Sequence, residues 1–90
     1  MKKHVKIFLD YYDLHGERIM CQCCNMAEAV DIHHIEPKGM GGSEEKDFIE
    51  NLIALCRECH QAVHAEKISK EFLKNIISHI KIYKGIWRKW

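Results

Sequence analysis

The sequence predicts a small α+β domain built around a bound metal, with a helix at each end. Three observations carry this. Cys21 and Cys24 form one Cys-x2-Cys knuckle, and Cys56 and Cys59 form a second. Apolar residues recur at helical spacing near both ends of the chain. Between the knuckles, residues 29–36 and the stretch FIENLIALC are β-like. Ninety residues bury only a modest core, and chains of this size lean on a staple such as a metal or a disulfide.

In chain order, Val5, Phe8, Leu9 and Tyr12 mark an amphipathic helix over residues 3–15, which Gly16 is placed to stop. Residues 29–36 read as a short strand, with Val30, Ile32 and Ile35 around the pair His33-His34. PKGMGGSEEKD is rich in glycine and charge and reads as a loop. RECHQAVHAEK has helical spacing. From Ser69, a fair N-cap, the residues Phe72, Leu73, Ile76, Ile77, Ile80 and Tyr83 make a second stripe. This predicts a helix over residues 69–84, ended by Gly85 and followed by the tail IWRKW. Both stripes are expected in the core of one domain, residues 1–90.

Composition is ordinary for a globular chain, 47% hydrophobic and 30% charged, without repeats or low-complexity segments. The net charge of +1 says nothing about a partner, but its distribution does. Residues 1–66 carry seven Lys/Arg against twelve Asp/Glu, a net of −5, whereas residues 67–90 carry seven against one, a net of +6. A basic end on an acidic chain fits either a polyanion partner or a solvated helix face. Lys6 and Asp10 interrupt the N-terminal apolar run, which is too short and charged for a signal peptide. No stretch is apolar for long enough to span a bilayer. A cytoplasmic chain without a membrane partner is expected, and its five cysteines, an odd number, then read as metal ligands rather than disulfide partners.

Two Cys-x2-Cys knuckles in such a chain point to a four-cysteine structural zinc site of Cys21, Cys24, Cys56 and Cys59. Zinc takes four thiolates in a tetrahedron, and each knuckle supplies two from one tight turn. The binding energy then goes into folding a small core. Cys23 is left over as a bystander thiol. A two-cysteine, two-histidine finger from Cys21, Cys24, His60 and His64 is excluded by its spacer and would leave Cys56 and Cys59 unexplained. The 31 residues between the knuckles are more than a simple zinc ribbon needs, so something substantial is inserted there.

The insert holds DIHHIEP, two adjacent histidines before a proline. Neighbouring strand residues point to opposite faces, so His33 and His34 are poorly placed to share one metal and are expected to do different jobs. Directly after the second knuckle, His60 and His64 stand at i and i+4, on one helical face. That spacing is either a bidentate metal platform or two polar residues on an exposed helix.

The order Cys-x2-Cys, then DIHHIEPKGMGG, then ENLIALCRECHQAVH, closely resembles the HNH nucleases, which share the ββα-metal (His-Me finger) active-site fold. The resemblance covers residues 21–64. It implies a β-hairpin carrying the first histidines, an asparagine in its loop, a following helix carrying the last histidine, and a four-cysteine zinc site pinning hairpin to helix. Residue by residue, His34 resembles the general base and His33 a metal ligand. His60 resembles the catalytic ligand from the helix, and His64 matches the additional ligand of the colicin-type branch. Asn51 resembles the motif's asparagine, expected to hydrogen-bond the hairpin loop and so hold His34 in orientation.

The resemblance implies a metal-dependent endonuclease hydrolysing DNA phosphodiesters, with structural Zn2+ and a catalytic divalent metal: Mg2+, Mn2+, Ni2+ or Zn2+. An imidazole of ordinary pKa is largely neutral at cytosolic pH and can take a proton from water. With no further DNA-reading segment in view, specificity is expected from a short flanking segment, a homodimer or a partner protein. Lys70, Lys74, Lys81, Lys84, Arg88 and Lys89 are expected to attract the DNA backbone, and Arg57 is an even candidate for a phosphate contact. Lys38 and the Gly39–Gly42 amides read as loop before phosphate site, and Asp31 as a strand-edge charge. Glu44, Glu45, Asp47 and Glu50 read as a solvated acidic loop, and His4, His15 and His79 as ordinary surface residues. The alternatives are a non-catalytic zinc-stabilised nucleic-acid-binding module, or a module binding protein through the apolar stripe with Trp87 and Trp90. Neither needs His33, His34, Asn51 and His60 together.

Overall fold

Leu52-Ile53-Ala54-Leu55 is an apolar run without alternation, the pattern of a strand covered on both faces. In the computed structural model, which describes residues 2–37 and 47–87 with side chains to Ile80, this run is strand β2 (Leu52–Leu55), and all four residues are buried. Strand β1 (Asp31–His34) pairs with it antiparallel, Asp31 opposite Leu55, Ile32 opposite Ala54, His33 opposite Ile53 and His34 opposite Leu52. Lys38, the Gly39–Gly42 stretch, Glu44, Glu45, Arg88, Lys89 and Trp90 lie outside the described residues, as do the side chains of Lys81, Tyr83, Lys84 and Trp87.

The pleat divides the core into two layers. Ile32, Leu52 and Ala54 pack against Phe8, Leu9 and Tyr12 of helix α1 (Lys3–Tyr12). Ile53 and Leu55 turn the other way, onto Leu73 and Ile77 of helix α3 (Lys70–Trp87) and onto the cysteines of the knuckles. Helix α2 (Arg57–His64) starts directly after Cys56, its N-cap. The first knuckle is hooked to β2 by Gln22. The Gln22 N–H donates to the Ala54 carbonyl at 2.8 Å, and its side-chain Oε1 accepts from the Ala54 N–H, also at 2.8 Å.

Several boundaries differ from the expectation. Helix α1 stops at Tyr12 rather than at residue 15, because Asp13 takes the left-handed conformation (φ 56°, ψ 52°) and Gly16 follows with φ +76°. Helix α3 runs through Gly85 to Trp87; a glycine costs a helix about 1 kcal/mol relative to alanine, which weakens it without ending it. The strand covers residues 31–34 instead of 29–36. Phe72, placed in the core stripe by its spacing, is 53% exposed at the edge of the packed face, whereas Leu73, Ile77 and Ile80 are buried. Ser69 caps α3 as expected, its Oγ accepting from the Phe72 N–H at 3.1 Å. Among the described residues, no helix is long and apolar enough to cross a membrane.

Candidate active site

The two knuckles converge. Cys21, Cys24, Cys56 and Cys59 each offer a sulfur, and the four lie within 4.8 Å of one another. The Cys24 and Cys56 sulfurs are 3.8 Å apart. Tetrahedral thiolates on zinc, at Zn–S bonds of about 2.3 Å, stand roughly 3.8 Å apart, so the donor set fits that ion. Backbone N–H groups already point at the sulfurs, from Cys24 to Cys21, from Met26 to Cys24 and from Cys59 to Cys56, each at 3.5 Å. Burial pushes the Cys59 and Cys56 thiols up. Burial also opposes ionisation of Cys21, but the N–H groups of Cys24, Cys56 and Cys23 outweigh it and bring that thiol down to about 7. Four thiolates in one pocket need a cation to hold them together. Cys23 stands outside the cluster of four.

On the layer facing α2, His33 of β1 meets His60 and His64 of the helix, and the three offer ring nitrogens within 4.8 Å of one another. The Nε2 atoms of His60 and His64 are 3.1 Å apart. Donors sharing one ion at about 2.1 Å stand roughly 3.0–3.4 Å apart, so this pair also fits a divalent cation. Burial first, then the neighbouring His60 and His64, holds His33 below the ordinary histidine range, and a neutral imidazole is the form that binds metal. Asp31, on the same strand face as His33, brings Oδ2 to 3.5 Å from His60 Nε2, so its place at the strand edge puts it beside the cluster.

His34 leaves the opposite face of β1. Its ring lies 4.5 Å from the ring of His4 on α1, and its Nε2–H donates to Asp47 Oδ1 at 2.7 Å. The Asp47 side chain is 1% exposed and that of His34 is 15% exposed. The solvated loop expected for Asp47 is therefore wrong at that residue: folding turns it inward onto the histidine. His4 likewise is no ordinary surface residue. A separation of four residues between Asp47 and Asn51 was the only hint in the sequence for the first, and none existed for the second. His15 pairs at the surface with Asp10, and His79 with its own helix backbone, as befits residues outside the site.

Asn51 closes the turn (Ile49–Asn51) that leads into β2 and is buried. Its amide holds both backbone groups of Glu36, two residues past His34. The Glu36 side chain pairs with Lys74 at 2.7 Å and Lys70 at 3.1 Å, so these two lysines are engaged within the fold. Arg57 is exposed. A cleft of about 590 Å³ reaches His33 and His34 from the side of Lys2, Lys3 and His4. A second, of about 450 Å³, reaches the same pair from Val63, His64 and Lys70.

A two-stranded sheet carrying a histidine pair, a helix carrying two more, and a four-cysteine cluster at their junction define a ββα-metal domain. The HNH endonuclease family model matches residues 21–66, and the chain belongs to that family. Over 51 residues it is 33% identical to the type IV methyl-directed restriction enzyme EcoKMcrA of Escherichia coli (strain K12), covering 57% of this chain and 17% of that enzyme. Over 89 residues it is 32% identical to the mitochondrial DNA mismatch repair protein mutS homolog of Sarcophyton glaucum, covering 91% of this chain and 8% of that protein. The chain thus spans less than a fifth of either relative. No solved structure gives a significant match.

Proposed function

We propose that the chain is a metal-dependent endonuclease that hydrolyses DNA phosphodiester bonds. The observation that carries this is the division of His33 and His34 between two environments, both open to the same clefts. His33 joins His60 and His64 as a set of imidazoles suited to a divalent cation, while His34 is held apart by Asp47. In this reading His34 is the general base: it takes the proton of a water whose oxygen attacks phosphorus, as the bond to the 3′ oxygen breaks. A divalent cation on His33, His60 and His64 supplies positive charge for the developing negative charge on oxygen. Asn51 keeps the end of β1 in place through Glu36. The four cysteines hold zinc and fix α2 against the sheet.

DNA as the substrate draws support from family membership and from the restriction and DNA-repair roles in the names of the two relatives. The test is nicking of supercoiled plasmid by the zinc-loaded protein across Mg2+, Mn2+, Ni2+ and Zn2+. Divalent-dependent nicking that is lost on His34→Ala supports the reading. DNA binding without cleavage under every metal would replace it with a non-catalytic binding module.

A further inference from the structure

We propose that Asp47 is the positioning residue of the catalytic base: its carboxylate takes the Nε2–H of His34 and so leaves Nδ1 as the nitrogen that accepts the proton from water. This rests on the nuclease reading above. An ionised carboxylate can only accept hydrogen bonds. The ring nitrogen 2.7 Å from Asp47 Oδ1 therefore carries the hydrogen, and the lone pair of the neutral ring lies on the other nitrogen.

The burial of the pair separates this contact from an incidental one. His15 and Asp10 make the same kind of contact at 2.6 Å, but both side chains are about half exposed, and water competes for each partner. The Asp47 side chain is 1% exposed, where a carboxylate is costly to place unless hydrogen-bonded. The ring of His4 lies against His34 at 4.5 Å, so the imidazole is held at one nitrogen and packed against α1. The segment 47–51 thus anchors the base twice. Asp47 grips the His34 ring, and Asn51, four residues on, grips the backbone two residues beyond it.

The test uses Asp47→Asn in the full-length, zinc-loaded protein, with Asp10→Asn as the control. An amide can turn its NH2 toward Nε2 and so favour the wrong tautomer. Outer-shell partners of a functional histidine typically contribute 10–100-fold. We expect kcat for plasmid nicking to fall by about that factor with KM unchanged, and Asp10→Asn to match wild type. In a His34→Ala background, Asp47→Asn should cost nothing further, because Asp47 acts only through that ring. Nitrogen-15 NMR of the His34 ring at alkaline pH should find the proton on Nε2 in wild type and a changed tautomer balance in Asp47→Asn. A wild-type kcat in Asp47→Asn, a full additional loss in the His34→Ala background, or an Nδ1–H ring in wild type would each overturn the proposal. If wild type nicks no DNA with any metal, the nuclease reading fails separately. The NMR result then decides the pairing alone, and a tautomer balance that Asp47→Asn leaves unchanged overturns it.

Discussion

Asn51 holds Glu36 by both of its backbone groups. The side-chain Oδ1 accepts from the Glu36 N–H at 2.8 Å, and Nδ2 donates to the Glu36 carbonyl at 3.0 Å. One backbone step earlier, the Ile35 N–H donates to the Asn51 carbonyl at 2.8 Å. The strand pairing of β1 and β2 is thereby carried past His34 by a side chain that imitates a peptide group.

Asn51→Ala should therefore destabilise the protein by about 1–3 kcal/mol, since it strands two backbone groups in a partly buried place. Asn51→Asp should fare no better, because its carboxylate cannot donate to the Glu36 carbonyl. Urea unfolding reads the stability, and nicking measured well below the unfolding midpoint reads the activity. A variant as stable as wild type would remove Asn51 from this role.

The zinc-loaded protein should hold one zinc per chain in the four-cysteine site, as counted by native mass spectrometry. Cys21→Ser or Cys59→Ser should unfold the chain or lower its melting temperature sharply, because the metal's binding energy is part of its folding energy. Cys23→Ser should retain both zinc and fold, since Cys23 stands outside the cluster. A well-folded sample free of metal would refute the zinc assignment.

The two adjacent histidines should separate in their metal dependence. His34→Ala removes the base and should lower turnover by about 10²–10⁴-fold, with affinity for the catalytic divalent ion largely kept. His33→Ala and His60→Ala should instead weaken that affinity, and excess metal should restore part of the activity. Zinc content should be unchanged in all three. Calorimetric titration of Mn2+ or Ni2+ into each zinc-loaded variant decides it. Loss of metal binding in His34→Ala with retention in His33→Ala would mean the roles are swapped.

Glu36 predicts a pH and salt signature for the clamp between β1 and α3. Lys74 first, then Lys70, holds its carboxyl down at about 2, against an ordinary 4.5. A depressed carboxyl stabilises the folded state above its unfolded value and loses that contribution as pH falls through the folded one. The stability gap between wild type and Glu36→Gln should thus be full above about pH 4.5, shrink toward pH 2 and be screened by added salt. Glu36→Gln also frees Lys70 and Lys74. It should tighten non-specific duplex binding and steepen its log–log salt slope by about 0.9 for each additional phosphate neutralised. An unchanged slope would mean that α3 does not meet the DNA backbone.

The four-cysteine site was legible in the sequence because its signal is local. Each knuckle is a four-residue turn, and a thiolate pair at that spacing has few other uses in an unexported chain. The i,i+4 pair His60 and His64 and the opposed directions of His33 and His34 follow from the repeat of a helix and of a strand, which any reader of the sequence can count. Where α1 stops was not countable, since Asp13 gives no sign that it will take a left-handed conformation ahead of Gly16. Nor was the fate of charged side chains. Asp47 and Glu36 each look like solvated acids on a polar stretch. One is buried onto His34, and the other bridges to lysines 34 and 38 residues away. His4 reaches His34 only because α1 packs across the Ile32 face of the sheet. A periodic pattern fixes which face a residue occupies, but the partner waiting on that face is set by the packing of segments distant in the chain, and that only the tertiary structure decides.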